Sequence, residues 1–450
     1  MNLELSKDKI YNILKRKHKI VDKKVLVSYI KKTYLRTISF LEPLLNKDIE
    51  GYERKDKLGY INPLVWELGH VLYFWEYKTL RLLFNLDEFQ HCVVDNSEKM
   101  FNSHIVSREE RFEMRYNLKK IINAYHNTIQ YMINKLESKS FELNSTTSYL
   151  IMISILHNEM HNESFLFSSQ LLNLSKPCLL EIDKTQNYNC ITNIEMIDIT
   201  GFKYQQGIDR DTYNFTFDNE MPSFFTNVDD FKVSKYPITQ YQYLQFIKAN
   251  GYYEKKYWLH QGWQWVKKNN INKPLYWEKI KDKWYVKKFG KLYLLQDNIP
   301  VHNISWYEAN AYCKWKDVRL PTETEWEFMA TNGGTSLYPW GNRKINEEYC
   351  NINYKYDGPV RVEKYMTGDN YHRVSQLIGN VWEWCQEPIY PYDGFKIDPV
   401  YREMSYPFFG HKRICRGGSW AVSDFLINSK YRNAQMPDCR LQYIGFRVCL

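Results

Sequence analysis

The chain has 450 residues, a length that fits two domains of ordinary size better than one compact core. Hydrophobic residues make up 44% and charged residues 25%, as in soluble globular proteins, and no apolar run is long enough to span a bilayer. The formal net charge is +9. These values predict a soluble protein and exclude one that crosses a membrane through apolar helices.

The distribution of charges and cysteines excludes further classes. Residues 1–60 hold 15 lysines and arginines against 8 acidic residues, but the basic residues are interleaved with acids and with apolar residues at helical spacing. A solvated helix face is therefore favoured over a nucleic-acid surface. The nine cysteines include no Cys-x-x-Cys pair, which argues against a disulfide framework and a zinc knuckle. The N-terminus lacks the order of a signal peptide, so we expect a cytoplasmic protein; the oligomeric state is not indicated.

Residues 1–174 have the pattern of a helical bundle. Apolar residues recur at three- and four-residue steps, with few helix breakers, in residues 25–41, 64–83, 108–136 and 147–174. Four long helices predict a bundle, in which side chains on facing helices can meet in the core.

Three histidines lie on two of these predicted helices. His157 and His161 are four residues apart, so a helix places both imidazoles on one face. His70 lies among apolar and aromatic residues of the second helix. In a bundle core the three could bind one metal ion, although a His-x-x-x-His pair alone is common and decides little. Glu163 points to another side of the helix, so we interpret it as a supporting or structural group.

Two arginines follow a predicted helix start between the second and fourth helices. Ser107 and Glu110 have the spacing of a capping box. Arg108 and Arg111 then lie in the first turn, where a positive charge is unfavourable to the helix dipole. Binding of a substrate carboxylate is one explanation of such a position, and exposure to solvent is the other.

The composition changes after residue 174. Residues 175–195 are interpreted as a linker, and in residues 196–450 short strand-like runs alternate with turn residues. The clearest short helices there are 306–315 and 322–330. The predicted fold class is therefore α+β, a helical bundle followed by an irregular mixed domain.

Seven blocks of the second half resemble the formylglycine-generating enzyme or sulfatase-modifying factor fold, in that family's order. They are Phe231-Lys-Val-Ser-Lys-Tyr-Pro, Pro300-Val-His-Asn-Ile-Ser-Trp, Arg319-Leu-Pro-Thr-Glu-Thr-Glu-Trp-Glu, Tyr338-Pro-Trp-Gly, Gly379-Asn-Val-Trp-Glu-Trp, Arg416-Gly-Gly-Ser-Trp and Ile444-Gly-Phe-Arg. The resemblance implies a C-type-lectin-like domain. Formylglycine-generating enzymes use a cysteine pair after the Gly-Gly-Ser block, whereas residues 420–432 contain no cysteine. That copper-thiolate reaction is therefore not expected.

The motifs Leu68-Gly-His70-x-x-x-Phe74-x-Glu76 and His157-x-x-x-His161-x-Glu163, placed ahead of this domain, resemble the iron-dependent sulfoxide synthases of ergothioneine and ovothiol biosynthesis and their selenoneine-forming relatives. The resemblance implies a DinB-like bundle in which His70, His157 and His161 bind Fe(II). It also implies that sulfur or selenium is joined, with O₂, to the imidazole ring of hercynine or histidine. The alternative is a non-catalytic ligand-binding protein, or a thiol transferase that holds zinc or nickel in the same bundle.

The same resemblance implies a tyrosine that acts as an acid or hydrogen-bond donor, between the Trp-Glu-Trp and Gly-Gly-Ser blocks. Tyr406 lies closest to the expected position and Tyr401 second, with a packing role as the alternative for either. Asn433 falls on a position that contacts the imidazole-bearing substrate.

The segment around Asn433 also bears on the thiol donor. Gln435 and Cys439 stand where relatives that use γ-glutamylcysteine have an acid and an arginine, so partners for the γ-glutamyl group are missing. Arg108 or Arg111 could still hold one carboxylate. We therefore expect cysteine or another small donor, such as a seleno-sugar.

Overall fold

The computed structural model describes residues 18–41, 61–183, 189–210 and 213–450. These residues form two compact units. Unit 1 contains the described residues of Met1–Pro177 together with Arg210–Thr216 and Asp398–Arg402. Unit 2 contains those of Cys178–Asp209, Phe217–Ile397 and Glu403–Leu450. Much of the basic segment 1–60, and residues 184–188 of the predicted linker, lie outside the described residues.

Four long helices dominate the described residues of unit 1. In chain order its helices are α1 (Lys23–Leu41), α2 (Leu64–Trp75), α3 (Arg81–Leu83), α4 (Leu86–Phe89), α5 (Ser97–Phe101), α6 (Arg108–Glu113), α7 (Leu118–Glu137) and α8 (Ser145–Leu171). A π-helical turn, Glu76–Leu80, connects α2 to α3. Both α1 and α2 pack against α7 and α8. The predicted helical bundle is thus confirmed.

A buried ionic contact fixes α1 against α8, the helix that carries two of the histidines. The Glu159 carboxylate of α8 accepts a hydrogen bond from the Thr33 hydroxyl at 2.6 Å and pairs with Arg36 at 3.0 Å. Glu159 is buried, and a buried charge left without a partner costs several kcal/mol. The pair therefore sets the position of α8 in the bundle.

The third predicted helix differs from the structure. A single helix over residues 108–136 is wrong, because α6 ends at Glu113 and α7 begins only at Leu118. Met114 is extended (φ −68°, ψ 145°), and the Asn117 side chain caps α7 by accepting a hydrogen bond from the backbone N–H of Lys120 at 3.0 Å. An asparagine cap of this kind favours a new helix start over a continuous helix. The capping box of Ser107 and Glu110 is confirmed.

Unit 2 is an irregular mixed domain built on small sheets. In chain order its elements are β1 (Met196–Ile199), β2 (Lys203–Gln206), β3 (Phe224–Asn227), β4 (Phe231–Ser234), α9 (Gln240–Lys248), α10 (His260–Asn269), β5 (Trp277–Ile280), β6 (Lys283–Lys288), β7 (Lys291–Leu294), α11 (Trp306–Lys316), α12 (Glu323–Ala330), β8 (Trp382–Pro388), β9 (Arg413–Arg416), β10 (Asn433–Gln435) and β11 (Ile444–Gly445). β1 pairs with β4 and β2 with β3, while β5, β6 and β7 form a meander. The largest sheet has the order β10-β9-β8-β11, with β11 parallel to β8. The predicted α+β class is confirmed.

The charged residues of the recognisable sequence blocks pair with one another inside unit 2. Arg416 donates a hydrogen bond to Glu327 at 2.6 Å, and Arg447 donates to the two oxygens of Glu383 at 2.6 and 2.7 Å. All four side chains are buried. Because removal of one partner from a buried ion pair is strongly destabilising, these pairs constrain how the blocks pack inside unit 2.

Two expectations from composition concern membranes and cysteines. Within the part of the chain that the structure describes, no helix combines the length and the apolar character needed to cross a bilayer. Each of the nine cysteines is a free thiol.

Candidate metal centre

Three histidines from α2 and α8 come together in the core of unit 1. The ring centroid of His70 lies 5.2 Å from that of His157 and 5.1 Å from that of His161, and the last two are 4.6 Å apart. One nitrogen from each ring lies within 4.8 Å of the other two. Imidazole nitrogens this close can share one metal ion, so the structure brings together the three histidines singled out in the sequence.

Two of the three imidazoles are oriented by hydrogen bonds on the side away from the cluster. The Nδ1–H of His70 donates to the backbone carbonyl of Phe101 at 2.8 Å. The Nδ1–H of His161 donates to the carboxylate of Glu67 at 2.6 Å. A carbonyl and a carboxylate can only accept here, so in the neutral form of each ring the proton is on Nδ1 and Nε2 keeps its lone pair. This is how metal-binding histidines are usually held.

The third imidazole is held by packing. His157 is 2% exposed, and its ring stacks on that of Phe74 at 3.7 Å between centroids, with 9° between the planes. Its Nδ1 has no hydrogen-bond partner among the described residues. The Tyr401 ring lies 5.5 Å from the His157 ring and 5.0 Å from that of Phe74. An aromatic cage therefore holds His157.

The electrostatic environment keeps two of the imidazoles neutral. Burial, with a further contribution from His161, lowers the pKa of His70 to about 3. Burial also lowers the pKa of His157 well below its usual 6.5, and the neighbouring His161 and His70 add to this effect. Neutral imidazole is the form that binds a metal, so both rings are in the ligand state at neutral pH.

Arg111 lies near this cluster, and both arginines are engaged in the fold of unit 1. The guanidinium of Arg111 lies 4.0 Å from the Trp66 ring, which stacks on His70 at 5.2 Å. Arg111 also donates hydrogen bonds to the carbonyl oxygens of Val106 and Ser103 and to the Asn62 side chain. Arg108 donates to the carbonyl of Ile61 at 3.0 Å. Their role in substrate binding stays a prediction.

The two candidate tyrosines are placed very differently. Tyr401 belongs to unit 1, through Asp398–Arg402, and packs against the histidine cluster. Tyr406 belongs to unit 2, lies in a short 3₁₀ turn, and is 66% exposed. The order of preference between them, Tyr406 before Tyr401, stays a prediction, and the structure brings Tyr401 to the histidines.

The remaining predicted substrate contacts lie on one strand of unit 2. Asn433 and Gln435 are the first and last residues of β10, and both are half-buried. The Asn433 side chain accepts a hydrogen bond from the backbone N–H of Ala434 at 2.8 Å. Their predicted contact with the imidazole-bearing substrate also stays a prediction.

Sequence reasoning missed the groups that orient the histidines. Glu67 lies three residues before His70, one helical turn away, and that spacing was a usable signal. The Phe101 carbonyl could not be found from residue type, because any residue carries one. The two acids that the motifs did highlight are not part of the cluster: Glu76 pairs with Arg81 and Ser97, and Glu163 is buried elsewhere on α8.

Comparison with known proteins identifies a family for the second part of the chain. Residues 183–450 match the family described as sulfatase-modifying factor enzyme 1-like domain, which is more than half of the chain. The chain belongs to this family. Among solved structures, this protein is similar to PvdO from Pseudomonas aeruginosa, with a TM-score of 0.41 and 19% sequence identity. The similarity covers 59% of this chain and 97% of the PvdO chain.

Two relatives of this member of the sulfatase-modifying factor family extend the match into the bundle. A hercynine oxygenase of Mycobacterium tuberculosis is 28% identical over 396 residues, which are 86% of this chain and 91% of that protein. A hercynine oxygenase of Mycolicibacterium smegmatis is 26% identical over 401 residues, with the same coverage. These matches confirm the resemblance to enzymes that fuse a helical region to this domain.

Proposed function

We propose that the protein is an Fe(II)- and O₂-dependent sulfoxide synthase-type enzyme. It joins the sulfur of a thiol, or the selenium of a selenol, to the imidazole ring of hercynine or histidine and oxidises the new sulfide or selenide. For a thiol the reaction balances as RSH + imidazole C–H + O₂ → R–S(=O)–imidazole + H₂O. One oxygen atom enters the sulfoxide and the other leaves as water. The relatives named hercynine oxygenases support this choice of substrate.

The observation that carries the proposal is the histidine cluster with its outer hydrogen bonds. His70 and His161 each present Nε2, because Phe101 and Glu67 occupy Nδ1, and His157 is the third donor. Such a neutral nitrogen set fits Fe(II), and three protein ligands leave positions for substrates. Bound iron would supply the electron transfer to O₂ that this reaction needs, which zinc on the same ligands cannot do.

The residues around the cluster would control the proton and the water. Phe74 and Trp66 cover the faces of His157 and His70 with apolar rings, which limits the access of water. Tyr401 is the hydroxyl-bearing ring packed against His157, so it is our candidate for the acid or hydrogen-bond donor.

The first test is metal binding followed by turnover. Anaerobic titration should give one Fe(II) per chain, and addition of O₂ with hercynine and cysteine should yield the sulfoxide. The His161→Ala variant should lose stoichiometric iron and remain folded. His126→Ala is the matched control, because His126 is an exposed histidine on α7 of the same bundle.

The same assay distinguishes the donors. Because Gln435 and Cys439 lack the charges expected for a γ-glutamyl group, cysteine should outcompete γ-glutamylcysteine.

Two results would contradict the proposed function. One is full iron occupancy in His161→Ala, and the other is iron binding without O₂ consumption when hercynine or histidine is offered with either thiol. The second result would favour a ligand-binding protein.

A further inference from the structure

Glu67 is a buried acid whose direct partner is a histidine, not a lysine or an arginine. It is 1% exposed on α2, and one carboxylate oxygen accepts the hydrogen bond from His161 at 2.6 Å. The other oxygen, Oε2, is buried and has no hydrogen-bond partner among the described residues. Arg111 attracts this carboxylate electrostatically, but Oε2 still lacks a hydrogen bond, and a buried carboxylate is costly unless its charge is well compensated.

Other buried acids in unit 1 show what Glu67 lacks. Glu159 pairs with Arg36 at 3.0 Å, and Glu76 pairs with Arg81 and accepts a hydrogen bond from Ser97 at 2.7 Å. Among the ion pairs of the described residues, Glu67 is paired only with His161. The side of His161 away from Glu67 faces two other histidines. A cation bound there would add positive charge on the His161 side of Glu67, beyond the contribution of Arg111.

We propose that Glu67 is a positioning residue of the metal centre, which orients His161 and balances the charge of the bound divalent cation. The inference rests on the proposed metal site and adds to it a residue that is not a ligand. The hydrogen bond selects the tautomer with the proton on Nδ1, which leaves Nε2 as the nitrogen that faces the metal. The carboxylate makes the imidazole a stronger donor through the ring.

The position of Glu67 also connects two helices. Glu67 and His70 are three residues apart on α2 and therefore lie on the same face. His70 is itself a proposed metal ligand, and Glu67 holds His161, a proposed ligand on α8. A shift of α2 relative to α8 would disturb both at once, so metal retention should report on this contact.

Two substitutions separate orientation from charge. Glu67→Gln keeps an oxygen that can accept the His161 hydrogen bond but removes the negative charge, and Glu67→Ala removes both. Co(II) is the probe, because it binds nitrogen ligands and its visible absorption reports on ligand geometry. We expect the Kd for Co(II) to rise about 10- to 100-fold in Glu67→Ala, with a smaller rise in Glu67→Gln.

A spectroscopic readout excludes a purely structural effect. At saturating Co(II), the visible bands of Glu67→Gln should differ from those of the wild-type protein, because His161 has become a weaker donor. Glu76→Gln is the matched control: it removes another buried acid of unit 1, and its Kd and spectrum should be unchanged. Circular dichroism checks that each variant is folded. If Glu67→Ala unfolds, the test rests on Glu67→Gln, because glutamine has nearly the same shape as the native residue.

The outcomes distinguish this inference from the proposed function. If Glu67→Gln binds Co(II) with wild-type Kd and spectrum while His161→Ala loses it, Glu67 has no positioning role and the metal centre stands. If the wild-type protein does not bind Co(II) or Fe(II), both proposals fall. If the Kd for Co(II) rises equally in Glu67→Gln and Glu76→Gln, the inference is also overturned, because any buried acid would then have the same effect.

Discussion

Tyr401 is held beside the histidines by a turn that Asp398 builds. One oxygen of the Asp398 carboxylate accepts hydrogen bonds from the backbone N–H groups of Val400 at 2.8 Å and Tyr401 at 3.1 Å. The other accepts from the hydroxyl of Tyr149 at 2.5 Å. Tyr149 lies on α8, two turns before His157, so the turn is anchored to the helix that carries two of the histidines.

This placement predicts different effects for the two candidate tyrosines. Tyr401→Phe should keep metal binding but lower sulfoxide formation by about 100-fold, the low end of the range for general acid catalysis, and divert O₂ to simple thiol oxidation. Tyr406→Phe serves as the comparison, since that side chain is largely exposed and should leave the product ratio unchanged. Product analysis by mass spectrometry is the measurement. The reverse pattern would assign the role to Tyr406.

At the scale of elements, the crossing of α2 and α5 depends on a glycine. A Cβ on Gly69 would lie 2.2 Å from the ring of Phe101, which is fully buried. Glycine in a helix interior usually costs about 1 kcal/mol relative to alanine, and close approach of another element is the reason to keep it here. Phe101 also supplies the carbonyl that orients His70, so the crossing and the metal centre depend on one residue.

Gly69→Ala should therefore destabilise the protein, although alanine is the better helix former. We expect a loss of about 1 to 3 kcal/mol, typical of overpacking, together with weaker Co(II) binding. Urea unfolding of the metal-free protein and Co(II) titration measure the two effects. Adding Phe101→Leu should recover part of the stability by making room for the methyl group. An alanine variant as stable as the wild-type protein would show that Phe101 can move away freely.

Local sequence signals predicted the elements but not their long-range contacts. The spacing of His157 and His161 was enough to place both on one helix face, and the apolar pattern placed His70 in the bundle core. The break before Asn117 was missed because apolar periodicity continues on both sides of it. The position of Tyr401 depends on contacts with α8, which is remote in sequence, so no local pattern could predict that Tyr401 lies beside His157.

At the scale of the whole molecule, a buried histidine of unit 1 and two buried acids of unit 2 contribute to the pH dependence of stability with opposite signs. In unit 1, burial and the nearby Arg210 lower the pKa of His18 to about 3. In unit 2, burial raises the pKa of Glu220 to about 8 and that of Glu387 to about 7. Between pH 4.5 and 6.5 the unfolded chain binds more protons at His18 than unit 1 does, and fewer at Glu220 than unit 2 does.

The stability of unit 1 should therefore fall as pH falls from 6.5, and that of unit 2 should fall as pH rises from 4.5 to 8. Each group contributes at most about 1.4 kcal/mol per pH unit within its window. Urea unfolding followed by proteolysis and mass spectrometry can measure the two units separately. His18→Gln should reduce the acid response of unit 1, to which His70 and His157 also contribute, and Glu220→Gln should reduce the response of unit 2, to which Glu387 also contributes. Equal slopes in the variants and the wild-type protein would contradict the assignment.

Asp398–Arg402 belongs to unit 1 although it lies far beyond α8 in the sequence. A bundle cut after α8 would leave the Tyr149 hydroxyl without its acceptor and the histidines without Tyr401. A chimera made from the first half of one relative and the second half of another therefore needs a turn at residues 398–402 that fits α8 of the first half. We therefore expect the residues at positions 149 and 398 to change together during divergence.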